Sequence, residues 1–217
     1  MTAQMNLKNK RILITAGPTW VAIDKVRVIS NTASGETGIL LAKKFASLGA
    51  KVTLLLGPVG ACCLGPGIRL INFRFFAELE KILKKELSGR AYHTVIHSAA
   101  VSDYQPQSRR QIKIKSGIKD LCIRLKPTEK LINLIKKIDP GIFAVGFKFE
   151  PQAGKAELIR RARQLLSSSQ VDLVLANTCS KRGYQAYLVD RQGVSGALNH
   201  KTKAAQRIIK AVEKINF

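Results

Sequence analysis

Residues 11–38 read RILITAGPTWVAIDKVRVISNTASGETG and join a short apolar run to the start of an amphipathic helix. The run over residues 11–15 is rich in β-branched side chains, which is typical of a strand buried in a parallel sheet. A helical period begins near Gly35, because apolar residues then recur at spacings of three and four as far as Leu48. About twenty residues separate strand from helix, whereas such connections usually take about two to six. A connection of this length indicates a functional loop.

The rest of the chain alternates strand patterns with helix patterns. Further strands are predicted over residues 51–56, 69–73, 94–98, 142–147, 172–176 and 187–189. Further helices are predicted over residues 77–87, 129–138, 156–167 and 202–215. Residues 103–126 interrupt this alternation with polar, basic sequence and short apolar–basic pairs, which indicate a flap. We therefore predict a single α/β domain over residues 1–217, Rossmann-like and doubly wound, with a mainly parallel sheet and an inserted β flap around 103–126.

The composition is that of a globular protein, with 46% hydrophobic and 24% charged residues. No apolar run reaches the roughly 18 residues of a membrane span, and residues 1–10 lack the apolar core of a signal peptide. We therefore expect a cytoplasmic protein without a membrane partner. Cys62 and Cys63 are adjacent while Cys122 and Cys179 stand far apart, a spacing that fits neither a disulfide framework nor a metal site. Buried thiols are the prediction for all four.

The net charge of +23 makes a polyanionic partner one class to consider. Lys and Arg occur in pairs along the predicted helices, where a solvated face is expected, and the chain has no basic tail or aromatic-interleaved patch. A basic RNA-binding protein therefore stays an alternative, with incidental nucleic-acid affinity. The same charge suits an enzyme whose ligands are phosphorylated anions.

The long loop carries small and hydroxyl-bearing residues into a helix N-terminus, where free N–H groups and the helix dipole receive phosphate. It is neither a G-x-G-x-x-G fingerprint nor a Walker A loop. A helix N-cap is the structural alternative for Ser34 alone. An N-cap explains neither the length of the loop nor the presence of Arg27 and Asn31.

Other strand ends offer groups that suit a nucleotide, each with a structural alternative. Asp103 is placed to bind a ribose hydroxyl or Mg²⁺, and its structural alternative is a turn or cap residue. Lys113 and Lys115 share one side of an extended segment, which suits a triphosphate or a solvated strand. Phe147 suits a nucleobase or the core. Asn177 lies at the same predicted edge and suits a ligand or a turn.

Together these segments resemble phosphopantothenoylcysteine synthetase, the coenzyme A ligase that forms the carboxy-terminal half of a bifunctional bacterial flavoprotein and also occurs alone. The resemblance runs from Arg11 to about Asn177, with a weaker tail. Its motifs follow in order as ITAGPT over residues 14–19, ID and VR with ISN over 23–31, SG over 34–35 with Gly38, AAV with DY over 99–104, KIK over 113–115, VGF with Glu150 over 145–150, and DL with AN over 172–177.

The resemblance implies ligation of 4'-phosphopantothenate to L-cysteine at the expense of CTP or ATP. The carboxylate attacks the α-phosphate to give an acyl-nucleotide and pyrophosphate, and the cysteine amine then displaces the nucleotide. It also implies Mg²⁺ or Mn²⁺ with the triphosphate, a homodimer, and no flavin; the metal ligands are not identified. No decarboxylase segment precedes Arg11, so we expect that partner activity to be absent from the chain.

The resemblance also implies roles for individual residues. Asn31 would hold and polarise the acyl intermediate, Arg27 would position the acid, and Ala100 would offer backbone contacts beside it. Lys113 would neutralise charge that grows on the α-phosphate. The nucleotide-binding residues would be Gly17, Ser34, Gly35, Asp103, Lys113 and Phe147.

The chain departs from the family pattern at three positions. Glu36 stands where a basic residue is usual, at the helix start where phosphate would lie. Leu165 and Ser169 stand where lysines usually approach the triphosphate, with arginines nearby in the same predicted helix. These changes leave CTP and ATP both open. A short Rossmann-type NAD(P)-dependent oxidoreductase is the main competing class, but its glycine fingerprint and Tyr-x-x-x-Lys pair are missing.

Overall fold

The computed structural model describes residues 7–89, 92–108, 110–181 and 183–215. Its strands are β1 (Arg11–Ala16), β2 (Trp20–Ala22), β3 (Val28–Ser30), β4 (Lys51–Leu56), β5 (Ile68–Asn72), β6 (Thr94–His97), β7 (Tyr104–Pro106), β8 (Leu125–Pro127), β9 (Phe143–Phe149), β10 (Leu173–Ser180) and β11 (Gly183–Val189). Its helices are α1 (Glu36–Ser47), α2 (Phe76–Ser88), α3 (Leu131–Ile138), α4 (Lys155–Ser169) and α5 (Lys201–Glu213).

The main sheet has the strand order β11-β10-β9-β6-β1-β4-β5. Every neighbouring pair in it is parallel except β10 with β11, which is antiparallel. From β1 the chain runs outward through β4 to β5 and then crosses to the other side of β1 to form β6. The strand order reverses there, so the crevice of this sheet lies beyond the carboxyl ends of β1 and β6. The predicted doubly wound, mainly parallel α/β fold is confirmed.

Helices cover both faces of the sheet. Alternate residues of β1 show the division, since Ile12 and Ile14 belong to the core under α1 and α5, whereas Leu13 belongs to the core under α2, α3 and α4. All three side chains are completely buried. Burying an aliphatic side chain of this size stabilises a fold by about 1.5 to 3 kcal/mol. The two apolar layers therefore fix the position of β1, whose carboxyl end borders the crevice.

The long loop between β1 and α1 contains a hairpin that the sequence pattern does not predict. In it β2 and β3 pair antiparallel, with Val21 opposite Ile29. Each strand has three residues, which is too short for a period of two to stand out. Trp20, at the start of β2, bonds through its N–H to the carbonyl of Arg74 at 2.8 Å, which ties the hairpin to the loop after β5.

The inserted flap is paired at its base, where β7 lies antiparallel to β8 and the N–H of Gln107 donates to the carbonyl of Arg124 at 2.9 Å. Between them the described residues of 107–124 form bends and turns rather than the alternating strands suggested by the apolar–basic pairs. The predicted period of two is nevertheless kept around Ile114, which is buried while Lys113 and Lys115 are exposed.

The prediction of four buried thiols is wrong. Cys63, Cys122 and Cys179 are exposed free thiols and Cys62 is only half-buried, because these residues lie on surface loops, the flap and an extension of β10. Asn177 does not sit in a turn, because β10 continues to Ser180 and pairs Asn177 with Phe149. In the described ranges no helix has the length and apolar character needed to cross a lipid bilayer.

Candidate functional site at the carboxyl edge of the sheet

The loops that follow β1 and β6 are joined beyond the strand ends. The N–H of Ala100 donates to the carbonyl of Gly17 at 2.9 Å, and the N–H of Thr19 donates to the carbonyl of Ala100 at 3.2 Å. Pro18 and Ala100 thereby continue the parallel pairing as an isolated bridge. The two loops form one floor for the crevice, and both backbone polar groups of Ala100 already have partners.

Glycines allow three backbones to meet beside this floor. Gly17 and Gly35 have φ of 77° and 70°, the left-handed region that favours glycine. A Cβ on Gly35 would lie 3.2 Å from the backbone nitrogen of Gly17, and one on Gly57 would lie 2.2 Å from the carbonyl oxygen of Pro18. The end of β1, the start of α1 and the end of β4 therefore approach at backbone contact, so Gly17 and Gly35 are required by packing whatever else they bind.

Ser34 is not the N-cap of α1. The N-cap is Gly35, with no side-chain cap bond, and Ser34 accepts the N–H of Glu36 only at 3.4 Å. Glu36 forms an ion pair with Lys201, the first residue of α5. The carboxylate that would oppose a phosphate at this helix start is thus partly neutralised by a neighbouring cation.

Asn31 spans the crevice from the β1–α1 loop to the loop after β6. Its Nδ2 donates to the carbonyl of Ala100 at 3.1 Å and to that of Val101 at 3.3 Å. The side chain is otherwise exposed. The amide is consequently fixed beside Ala100, the pairing of residues that the resemblance implies for the acyl group.

Arg27 is held by a buried carboxylate three residues earlier in the same loop. Asp24 is 2% exposed; its Oδ1 accepts the N–H groups of Val26 and Arg27 at 2.8 Å each, and its Oδ2 accepts Nη1 of Arg27 at 2.6 Å. The same Oδ2 accepts the N–H of Ile114 in the flap at 3.0 Å, and Nη1 of Arg27 donates to the Ile114 carbonyl at 3.2 Å. The N–H of Ile114, together with the donors from the loop, lowers the pKa of Asp24 far below its usual value despite burial.

Lys113 and Asp103 lie on or beside the flap. Lys113 is exposed and immediately precedes Ile114. The bonds from Asp24 and Arg27 to the backbone of Ile114 therefore also fix the position of the Lys113 backbone. Asp103 follows β6, its carboxylate forms an ion pair with Lys130, and both side chains are more than half exposed. The main chain of Asp103 accepts the N–H of Thr128 at 2.9 Å, which anchors the base of the flap.

Phe147 lies near the carboxyl end of β9, beside Leu175 of β10. It is half-buried and packs against the core cluster under α1 and α5. Its ring therefore belongs partly to the core, and its exposed part lies on the α1 side of the sheet.

A hydroxyl network joins the floor of the crevice to the flap base. Oγ1 of Thr19 accepts the N–H of Ser102 at 2.9 Å, and Oγ of Ser30 donates to the Thr19 carbonyl at 3.3 Å. Oγ1 of Thr128 donates to the Ser102 carbonyl at 2.6 Å. These short polar side chains make the hairpin, the loop after β6 and the flap base one connected unit.

His97 is a buried histidine at the end of β6 for which the sequence offered no role. Its Nδ1 lies 2.9 Å from Oγ1 of Thr15 on β1, and burial lowers its pKa from 6.5 to about 4. The imidazole is therefore neutral near pH 7, and it supports the strand ends rather than supplying charge to the crevice.

The positions of the expected lysines on α4 lie away from the crevice. Leu165 packs over the backbone of Gly146, with Cδ2 3.2 Å from where a Cβ would stand, and Ser169 is buried. Both are in the last turns of α4, just before β10 begins, and thus near the opposite edge of the sheet. Arg160 and Arg161 both pair with Glu157, so they are not free substitutes for those lysines.

The structure brings Asn31 to Ala100, packs Gly35 against Gly17, and joins Arg27 to the flap residue that follows Lys113. The contacts of Asp24 and the partners Lys130 and Lys201 were not predicted. The position of Asp24 three residues before Arg27, in a polar loop, was a signal for a side chain that caps its own turn. Within the described residues no group of three or more His, Cys, Asp or Glu could hold a metal ion.

A doubly wound sheet whose strand order reverses between β1 and β6 defines a Rossmann-like α/β protein. The chain belongs to the family described as the DNA/pantothenate metabolism flavoprotein C-terminal domain, which matches residues 7–215.

Similar proteins agree with that assignment. The coenzyme A biosynthesis bifunctional protein CoaBC of Thermococcus kodakarensis is 37% identical over 178 residues, which cover 82% of this chain and 43% of that protein. The crystal structure of the DNA/pantothenate metabolism flavoprotein from Streptococcus pneumoniae has a TM-score of 0.85 at 25% identity and covers 94% of this chain and 98% of that one. A Cab2 mutant H337A in complex with phosphopantothenate-cysteine shares the fold, with a TM-score of 0.75 at 19% identity, over 95% of this chain and 87% of that one. The chain spans about half the length of the curated relatives that it matches.

Proposed function

We propose that this chain is a phosphopantothenate–cysteine ligase of coenzyme A biosynthesis. Membership of the family supports this, as do the CoaBC relatives and the phosphopantothenate-cysteine bound to a protein of the same fold. Residues 1–217 would act as one domain in the cytoplasm. Because the chain spans about half of those relatives, the proposal covers only this ligation and includes no flavin.

In the first step the carboxylate of 4'-phosphopantothenate attacks the α-phosphorus of CTP or ATP, and the bond to the leaving pyrophosphate breaks. Arg27 would position the acid, and Lys113 would neutralise charge that grows on the α-phosphate. The positive charge of both residues also reduces repulsion between a carboxylate and a triphosphate. The bond from Arg27 to the carbonyl of Ile114, the residue after Lys113, supports this pairing, because it holds the two segments together.

In the second step the amine of L-cysteine attacks the activated carbonyl carbon, and the nucleotide leaves with the bonding electron pair. Asn31 would hold the acyl group beside Ala100. The two carbonyl contacts fix the amide beside Ala100, and one N–H would turn from the more distant Val101 carbonyl to the acyl oxygen when substrate binds. No protein nucleophile is required, which agrees with positioning and charge neutralisation as the source of catalysis.

The nucleotide would lie along the start of α1 and across the strand ends. Gly17, Ser34 and Gly35 would face its phosphates, Asp103 its ribose and Phe147 its base. The Glu36–Lys201 ion pair supports the phosphate site by reducing the negative charge at the helix start. Mg²⁺ or Mn²⁺ would arrive with the triphosphate, whose oxygens and water are its usual ligands, and this fits a site without a carboxylate cluster among the described residues.

One observation carries the proposal: the amide of Asn31 bonds to the carbonyls of Ala100 and Val101 just beyond β6, at the switch point of the sheet. The test supplies 4'-phosphopantothenate, L-cysteine, Mg²⁺ and either CTP or ATP, and follows the amide product by mass spectrometry. We expect product with at least one triphosphate and none when any substrate is omitted. Its absence with both triphosphates would contradict the proposal.

We also propose a homodimer that buries the outer face of the flap. Large apolar side chains are exposed in and beside the flap, and exposed apolar clusters mark interaction surfaces; they are Tyr104, Ile112, Ile118, Leu121, Ile123 and Leu125. Sedimentation equilibrium should show a dimer that the Ile112→Ser, Leu121→Ser double variant dissociates. Leu70→Ser, at an exposed position of β5, is the matched control and should stay dimeric. A monomeric wild-type protein would refute the dimer.

The charge of +23 favours incidental binding of nucleic acid as a secondary property. Filter binding of a single-stranded RNA should weaken steeply between 50 and about 200 mM salt, as expected for non-specific phosphate contacts. RNA binding that persists at high salt, without any ligation activity, would favour the RNA-binding alternative instead.

A further inference from the structure

Two described residues of the outer flap bond to the β1–α1 loop: the exposed Arg110, whose N–H donates to the carbonyl of Ile23 at 3.1 Å, and the buried Ile114. Ile114 is 4% exposed, whereas its neighbours Lys113 and Lys115 are exposed. Side chains of the loop bind both of its backbone polar groups: Oδ2 of Asp24 accepts the N–H, and Nη1 of Arg27 donates to the carbonyl. The two side chains thus bond to the N–H and the carbonyl of Ile114, the groups that a neighbouring strand would bond to in a sheet.

The carboxylate of Asp24 has four donors, two on each oxygen, and is almost completely buried. Oδ1 holds the turn of the loop through the N–H groups of Val26 and Arg27. Oδ2 holds the side chain of Arg27 and the flap. An asparagine has a single acceptor oxygen and two N–H donors, so it satisfies either the turn or the flap but not both.

We propose that Asp24 is a positioning residue that latches the flap to the β1–α1 loop, so that Lys113 and Arg27 are held in a fixed relation to each other. The inference rests on the proposed ligase function for the roles of Lys113 and Arg27. The latch itself stands on the contacts between Asp24, Arg27 and Ile114. The flap base pairs through three residues on each side, and the N–H of Arg110 also donates to the carbonyl of Ile23 at 3.1 Å, so the outer flap is positioned through the β1–α1 loop, with Asp24 and Arg27 supplying the side-chain bonds.

The latch is tested first without any substrate, by hydrogen–deuterium exchange of residues 110–124. In Asp24→Asn we expect exchange at the Ile114 amide to become at least about tenfold faster, the effect of losing one charge-assisted hydrogen bond. Asp120→Asn is the matched control, because Asp120 is an exposed carboxylate on the flap itself, and its exchange should equal that of the wild type. Unchanged exchange in Asp24→Asn would overturn the latch, whether or not the protein is a ligase.

The second measurement is single-turnover pyrophosphate release at saturating triphosphate. Asp24→Asn should lower the rate constant while leaving the KM for the triphosphate nearly unchanged, and Asp24→Glu should recover part of the rate. In the background of Lys113→Gln, Asp24→Asn should lower the rate constant little further, because each change alone already removes the Lys113 charge from its position in the site. Fully additive losses would overturn the positioning role. A wild-type protein that releases no pyrophosphate would refute the ligase proposal and leave the exchange result standing.

Ile114→Pro serves if Asp24→Asn does not fold. It removes the N–H donor on the flap side and leaves the turn of the β1–α1 loop with its own bonds. Faster exchange in the rest of residues 110–124, together with slower pyrophosphate release, is the expected result. Exchange and release both equal to those of the wild type would refute the latch.

Discussion

Nδ1 of His97 lies 2.9 Å from Oγ1 of Thr15, which joins the carboxyl ends of β6 and β1 directly beneath the crevice. The two residues are paired in the register of the sheet, and both are buried. Oγ1 of Thr15 also accepts the N–H of Ala99 at 3.3 Å. The hydroxyl therefore links the neutral imidazole to the loop that carries Ala100, and protonation of His97 would disturb the floor of the site.

His97 should make stability fall in mildly acidic solution. Its pKa in the folded protein is about 4 against an ordinary 6.5, so the unfolded chain takes up a proton at a pH where the folded protein does not. The stabilisation is complete above pH 6.5 and is lost as the pH falls toward 4, by up to about 3 kcal/mol. Urea unfolding at pH 7 and pH 4.5 measures it, and His97→Gln should show a clearly smaller difference between the two values. An equal difference in both proteins would rule out His97 as the cause.

Gly57→Ala should destabilise the protein and impair the site. A Cβ at Gly57 would stand 2.2 Å from the carbonyl oxygen of Pro18, so the β1–α1 loop must move, at a cost of about 2 kcal/mol or more. Gly60→Ala, three residues along the same loop, has no atom within 4 Å of the new Cβ and is the matched control. Thermal unfolding should separate the two variants. Equal melting temperatures would mean that the close approach of the two loops is not maintained in solution.

Glu36→Gln should tighten the binding of the triphosphate. The change removes a negative charge from the first turn of α1 and leaves Lys201 free to face phosphate. A charge at a helix N-terminus is worth about 0.3 to 1 kcal/mol, so the KM should fall by roughly two- to fivefold. Glu213→Gln, in the last turn of α5, controls for the change in net charge. A KM that rises in Glu36→Gln would place the phosphates elsewhere.

Asn31→Asp should block the second half-reaction more than the first. A carboxylate cannot donate to the carbonyls of Ala100 and Val101, and it repels the acyl oxygen that the amide would hold. Acyl-nucleotide should therefore accumulate while pyrophosphate is still released. Quenched-flow samples analysed by mass spectrometry measure both. Equal loss of both half-reactions would contradict the role given to Asn31.

The parts of the fold that local pattern specifies were predicted well. Apolar runs such as residues 11–15 and 51–56 form strands because each run is buried within one element. The hairpin of β2 and β3 was missed, because its three-residue strands are stabilised by contacts made after the chain has folded back. The Asp24–Ile114 and Glu36–Lys201 contacts join residues 90 and 165 positions apart, and no local pattern records such pairs.

The most direct test of the central claim compares wild type with Lys113→Gln in pyrophosphate release from CTP and from ATP, with 4'-phosphopantothenate present and cysteine absent. Lys113 is exposed, so the variant should keep its fold, which circular dichroism verifies. In the wild type we expect one equivalent of pyrophosphate per active site, and only when the acid is present. In Lys113→Gln we expect release to be slower by roughly a hundredfold or more, as for loss of one charge-stabilising group. Release at the wild-type rate in Lys113→Gln, or no acid-dependent release from either triphosphate in the wild type, would contradict the central claim.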